Sequence, residues 1–229
     1  GLETLKAFER IQLKHTLLLT LVYGPDGESP VDDSDLTEHL DSQMYELAYV
    51  NIPLYNTSTY VFADDDQKAE MLQLADAAAD SANAAEAETV SDQFSALHAA
   101  AQTALPDIYA VLSADVPDDA ASIQNELLTE SDLTGAFTQD GAADAVRGLV
   151  YGEAAAVQYN AASIILMMRI DPLQVSTLDA LRTQILSDMK GDELNDGLAS
   201  YGAGLDHSLN RSSMNKLPAS KIVNNSANS

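Results

Sequence analysis

The apolar residues near the start of the chain fall at helical spacing. Between Leu2 and Leu21 they recur every three or four residues, and side chains at this spacing share one face of an α-helix. Gly24 and Pro25 interrupt the pattern, because glycine and proline favour turns over helix. The sequence therefore predicts a first helix over residues 2–22.

The same spacing continues along the chain and predicts further helices. Their approximate ranges are 36–50, 65–104, 117–135, 142–170, 178–189 and 194–205. The range 142–170 is the most apolar, and Gly148 and Gly152 within it favour a central helix in close contact with its neighbours. Residues 52–62 differ, because β-branched and aromatic residues crowd together there, and they predict a short strand or an ordered connector.

These elements together predict an all-α fold. We expect a helical bundle of about five to seven helices, with an irregular acidic connector and an extended C-terminal arm. Residues 1–209 are expected to form a single helical domain, since a chain of this length can enclose one core. Residues 210–229 are rich in Ser and Asn and lose the apolar periodicity, which predicts an extended or flexible arm.

Net charge is the outlying property of the composition. The chain of 229 residues has 36 acidic and 11 basic residues, and its formal net charge is −25. Nucleic-acid affinity comes mainly from cations that neutralise phosphates, so nucleic-acid binding is not expected. The carboxylates are dispersed, which favours adaptation to high salt over a specific cationic partner, because salt at about 1 M shortens the Debye length to roughly 3 Å.

Several features of the sequence bear on the location of the protein. No segment has the roughly 20 nearly uncharged residues of a transmembrane helix. No cysteine is present, so disulfides and thiolate chemistry are excluded. Asn56, Asn210 and Asn224 begin Asn-x-Ser/Thr sequons, and a first residue of Gly1 suggests processing, a cleaved tag or a removed leader. These features favour an extracellular, cell-surface or virion location.

The sequence contains no catalytic constellation, so we expect a non-catalytic protein without a cofactor. No Gly-x-Ser-x-Gly motif is present, and no histidine follows a glutamate by three residues as in di-iron bundles. Asp35 and His39, four residues apart, are the nearest approach to a metal site. A surface histidine among acidic residues is the simpler interpretation of this pair, and cation binding by the acidic surface is expected to be weak.

Aromatic residues cluster around the predicted connector. They are Tyr45, Tyr49, Tyr55, Tyr60 and Phe62. Amphipathic rings suit an interaction site for a partner, and they equally suit the seam between a bundle and a loop.

The leading hypothesis is a structural or assembly protein of a surface layer or a virion, from a salt-adapted source. Its partners would be other proteins or further copies of itself, joined through the C-terminal arm. One alternative is an extracellular ligand-binding or sensor module in which the aromatic residues enclose a small molecule. The other is a metal-binding helical bundle that uses His39 and neighbouring carboxylates.

Overall fold

The computed structural model describes residues 2–204, apart from the side chains of residues 2–4, 7 and 8. The predicted arm, residues 210–229, lies outside the described residues. The described residues divide into two compact units, one up to Met189 and one from Lys190 onward.

The described residues form eight helices and a four-stranded sheet. The helices are α1 (Leu2–Tyr23), α2 (Asp33–Gln43), α3 (Asp65–Asn83), α4 (Val90–Val111), α5 (Glu130–Ala136), α6 (Ala142–Gly148), α7 (Pro172–Val175) and α8 (Leu178–Ala203). The strands are β1 (Met44–Pro53), β2 (Gln124–Thr129), β3 (Ala154–Asn160) and β4 (Ser163–Ile170). Each strand runs antiparallel to its neighbours, in the order β2-β1-β4-β3.

The prediction of an all-α helical bundle is therefore wrong, and the fold mixes helices with a sheet. The predicted helix 36–50 ends at Gln43, and β1 follows it directly. The predicted helix 142–170 ends at Gly148 as α6, and its remainder forms the hairpin of β3 and β4. Every residue of β4 is buried, so this strand shows no alternation of apolar and polar residues that would have distinguished it from a buried helix.

The predicted helix 117–135 is also wrong over most of its length, because Gln124–Thr129 forms β2 and only Glu130–Ala136 is helical. The other predicted helices need smaller corrections. The first predicted helix agrees with α1 within about one residue, which is the usual uncertainty of a helix end. The predicted helix 65–104 is divided into α3 and α4 by residues 84–89. The two helices predicted around Gly191 are one continuous α8.

The first face of the sheet packs against α3 and α4. Alternate residues of the two central strands, among them Val50 and Leu166, point to this face and are fully buried. Helix α3 meets them with small side chains, including Ala75 and Ala79, which allow close approach between helix and sheet. The alanine-rich side of α3 is thus a packing surface.

The second face of the sheet is covered by the short helices α5 and α6. Its apolar cluster includes Leu47 of β1 and Met167 of β4, with Leu133 of α5 and Val146 of α6 packed against them. Two helices of seven residues each cannot cover four strands, because each is only about 10 Å long. Part of this face therefore remains open as a groove.

Polar contacts join the first half of α8 to helix α2 and to strand β2. Arg182 of α8 lies 2.8 Å from Asp33 of α2, and Gln184 donates a hydrogen bond to the Leu127 carbonyl of β2. Leu36 and Leu40 of α2 are fully buried.

Among the described side chains of helix α1, the buried ones lie near its C-terminal end. Leu19 and Tyr23 are buried, whereas the large apolar residues on the opposite side of its last three turns are exposed. Among the described residues, no helix has the length and apolarity required to cross a membrane.

Candidate functional site

The open part of the second sheet face forms a groove of about 570 Å³. Its floor consists of Leu47, Leu128 and Ile165, which point from β1, β2 and β4 to the same side of the sheet. A volume of this size lies within the range of small-molecule sites, roughly 300–1,000 Å³. The groove is therefore large enough for a small organic ligand.

Three aromatic rings line the same groove, and we call it the aromatic groove. They belong to Tyr49 of β1, Phe137 after α5 and Tyr159 of β3. The ring centroids of Phe137 and Tyr159 lie 5.4 Å apart, with the ring planes tilted by 51°. The Tyr159 hydroxyl donates a hydrogen bond of 3.4 Å to Asn51 of β1, which holds this ring over the sheet.

The charge of the aromatic groove comes from acidic side chains. Glu126 of β2 and Asp132 of α5 are the charged residues that line it. Glu126 accepts a hydrogen bond of 3.4 Å from the Tyr49 hydroxyl. Burial raises the pKa of Tyr49, and the Glu126 carboxylate raises it further, so this phenol stays neutral at ordinary pH.

A buried cation lies beside the groove on the same sheet face. Arg169 is the single charged residue of β4, and its guanidinium lies between the rings of Tyr45 and Tyr151, at 5.0 Å and 5.1 Å from their centroids. It donates hydrogen bonds to the backbone carbonyls of Leu149 and Asp41. Arg169 thus holds the loop before β3 and the end of α2 to the sheet.

Tyr45 joins this cation to a surface ion pair. Its hydroxyl donates a hydrogen bond of 3.1 Å to Glu130 of α5, and Glu130 is paired with Arg147 of α6. The hydrogen bond from Arg147 lowers the pKa of Glu130 and keeps its carboxylate ionised. All these groups are engaged with one another, so the network fastens α5 and α6 to the sheet.

The remaining aromatic residues of the predicted cluster form a separate hairpin after the end of β1. Tyr55 pairs with Phe62 across residues 55–62, and it also stacks on Tyr60 at a centroid distance of 6.4 Å. Tyr60 has a φ of 58°, which is strained for a residue with a side chain. The Asn56 side chain turns the hairpin by accepting backbone hydrogen bonds, while its amide group donates to the Leu112 carbonyl.

The structure therefore divides the predicted aromatic cluster among three places. Tyr45 is buried beside Arg169, Tyr49 lines the aromatic groove, and Tyr55, Tyr60 and Phe62 form the hairpin. The predicted interaction residues did not include the other two aromatic residues of the groove, Phe137 and Tyr159, or the acidic Glu126. The available signal was the alternation Val157-Gln158-Tyr159 in β3, which the alanines before it obscured.

The predicted metal candidates, Asp35 and His39, lie on one helix, and His39 contacts one further carboxylate. His39 Nε2 is 2.7 Å from Asp188 Oδ2 of α8, so this imidazole is engaged in a contact between two helices. Asp35 is exposed on α2. Within residues 2–204, no group of three or more His, Cys, Asp or Glu side chains is arranged to hold a metal ion.

The C-terminal half of α1 carries a second unusual surface. Leu13, Leu17 and Leu21 are 61 %, 53 % and 66 % exposed. They lie four residues apart, so they share one side of the helix, which we call the leucine face. Single exposed apolar residues are common, but a row of three leucines on a helix is typical of an interaction surface.

No protein-family model, curated protein or solved structure matches the chain.

Proposed function

We propose that the protein is a non-catalytic assembly protein, and that the leucine face of α1 binds a second copy of the same chain. The exposure of Leu13, Leu17 and Leu21 is the observation that supports this proposal. Complete burial of a leucine side chain stabilises a protein by about 1.5–3 kcal/mol. Covering three leucines that are more than half exposed would therefore contribute about 3–6 kcal/mol to association.

The charge of α1 favours a second copy as the partner. Its sequence has three basic residues, Lys6, Arg10 and Lys14, and two acidic residues, Glu3 and Glu9, whereas the rest of the chain has eight basic and 34 acidic residues. The helix is thus slightly cationic within a strongly anionic protein. Complementary charge directs association, so the acidic body of another copy is a suitable surface for it.

Two other kinds of partner fit less well. A helix with leucines and basic residues also suits an anionic membrane surface. The net charge of −25, however, repels anionic lipids and nucleic acids alike, and three basic residues do not offset it. A second copy carries the same net charge, so association relies on the leucine contacts and on salt to screen the repulsion between the two chains.

Sedimentation velocity over a range of protein concentrations tests the proposal. The wild-type chain is expected to associate, and the triple variant Leu13→Gln, Leu17→Gln, Leu21→Gln is expected to remain monomeric. Glutamine is a good helix former, so α1 should persist, as far-UV circular dichroism can verify. The loss of about 3–6 kcal/mol corresponds to an association roughly 100-fold to 20,000-fold weaker.

A matched control removes three exposed valines elsewhere on the surface. The variant Val116→Thr, Val150→Thr, Val175→Thr changes exposed apolar residues outside α1 and should associate like the wild type. Association by the leucine variant equal to that of the wild type would contradict the proposal. So would a wild-type chain that stays monomeric at millimolar concentration, or one that remains monomeric while it binds anionic vesicles through α1.

A further inference from the structure

We propose that the aromatic groove binds a small organic cation with a methylated ammonium group. The floor of Leu47, Leu128 and Ile165, the rings of Tyr49 and Tyr159, and the Glu126 carboxylate together carry this inference. It is independent of self-association through α1, because the groove lies on the sheet and α1 contributes no residue to it.

The rings provide the first part of the argument. The face of an aromatic ring is the negative end of its quadrupole, and it attracts cations that lie within about 6 Å of its centroid. Tyr49 and Tyr159 are partly exposed to the groove, so their ring surfaces are available to a ligand. Methylated ammonium groups are the ligands for which proteins typically use several such rings.

The charges provide the second part. Glu126 and Asp132 are the charged residues of the groove lining, and no lysine or arginine belongs to it. An anionic ligand would be repelled, whereas a cation is attracted by both carboxylates. The hydrogen bond from Tyr49 to Glu126 holds the carboxylate beside a ring, so charge and ring surface act on the same ligand.

The apolar floor of the groove favours an organic cation over a metal ion. Metal ions such as Ca²⁺ require about six to eight oxygen ligands, and Na⁺ and K⁺ remain strongly hydrated without comparable coordination. Three aliphatic side chains at the base of the groove supply none of these oxygens. A methylated ammonium group has an apolar surface, so it can contact the small exposed parts of Leu128 and Ile165 and the rings while its charge faces Glu126.

Titration calorimetry of the full chain with choline tests the proposal at a fixed salt concentration. The comparison ligand is 3,3-dimethylbutan-1-ol, which has the same shape but carries carbon in place of the charged nitrogen. We expect choline to bind with a dissociation constant on the order of 1 mM, and the neutral alcohol to bind at least about threefold more weakly. Equal binding of both ligands, or no binding of choline up to about 100 mM, would overturn the proposal.

Variants locate the binding. Tyr159→Leu keeps an apolar side chain but removes a ring, and it should weaken choline binding about threefold to thirtyfold. Glu126→Gln should weaken it about twofold to fivefold, with a smaller effect at high salt, because the carboxylate is exposed.

The same chemical changes outside the groove are the matched controls. Tyr60→Leu alters the exposed hairpin, and Glu70→Gln removes a charge from the exposed side of α3. Neither should change choline binding by more than about twofold. Equal weakening by groove and control variants would show nonspecific attraction to an acidic surface, and would overturn the proposal.

Discussion

Replacement of Arg169 by methionine tests whether one buried cation holds the second face of the sheet together. The guanidinium donates hydrogen bonds of 2.9 Å and 3.0 Å to the carbonyls of Leu149 and Asp41, and two tyrosine rings enclose it. Methionine keeps an unbranched apolar side chain of similar length, so the change removes the charge and the donors more than the packing.

The expected loss of stability follows from these contacts. Leaving a buried carbonyl without a donor costs about 1–3 kcal/mol, which applies to Leu149. The Asp41 carbonyl is only partly buried and costs less, so the two together account for about 1–5 kcal/mol. Each cation–π contact adds about 0.5–2 kcal/mol. The variant regains the desolvation free energy of a buried charge, which offsets several kcal/mol. We therefore expect Arg169→Met to lower the free energy of unfolding by about 2–4 kcal/mol.

Urea denaturation at a fixed salt concentration, followed by circular dichroism, measures this difference. Arg10→Met makes the same chemical change on the exposed surface of α1 and should alter stability by less than about 0.5 kcal/mol. If Arg169→Met also stays within about 0.5 kcal/mol of the wild type, Arg169 does not anchor the loop and α2, and the reasoning is refuted.

Three further predictions concern single contacts of the fold, and urea denaturation measures each. Asn83 exchanges two hydrogen bonds with the backbone of the buried Ala154, so Asn83→Ala should destabilise by about 1–3 kcal/mol, and an unchanged midpoint would contradict this. Ser113 ends α4 with a φ of 50°, so Ser113→Gly should stabilise by about 1 kcal/mol, whereas Ser95→Gly within α4 should destabilise by a similar amount. Burial raises the pKa of Glu46, so ionisation of this carboxyl opposes folding as the pH rises above about 4.5, its pKa in the unfolded chain. Glu46→Gln should therefore gain stability relative to the wild type between pH 4 and pH 7. A gain that does not grow with pH would contradict this.

The helices with one apolar face were the part of the fold that the sequence could predict. The range of α1 follows from its leucine spacing and from the Gly24-Pro25 break. The end predicted at residue 170 is also correct in position, because β4 ends at Ile170 and the proline at position 172, which begins α7, disfavours helix before it. Breaker residues mark the end of an element whatever its type.

The sheet could not be predicted, because its strands lack the usual alternation. β4 is an apolar run that is buried on both faces, and β3 begins with three alanines, which have the highest helix propensity of all residues. β1 contains Met44 and Leu47 at helical spacing, yet its two neighbours in the sheet pair with it along most of its length. In all three strands, pairing with neighbouring strands determines the structure, although the local sequence favours a helix.

The candidate site could not be predicted either, because the sheet brings its residues together. Tyr49 was among the predicted interaction residues, but Glu126 and Tyr159 come close to it only through the pairing of distant strands. Arg169 lies in an apolar run that resembled a helix, so nothing in the sequence marked it as a buried cation between two rings.

Zero-length cross-linking between two isotopic forms of the chain tests the proposed assembly most directly. Lys14 lies on the exposed side of α1, and a carbodiimide joins its amino group to any carboxylate in direct contact. In an equal mixture of ¹⁴N and ¹⁵N chains, we expect Lys14 peptides linked to acidic peptides of the other isotope, and we expect these links to disappear in the triple leucine variant. If Lys14 forms cross-links only within chains of one isotope, at concentrations where the protein sediments as an oligomer, then α1 does not dock on a second copy.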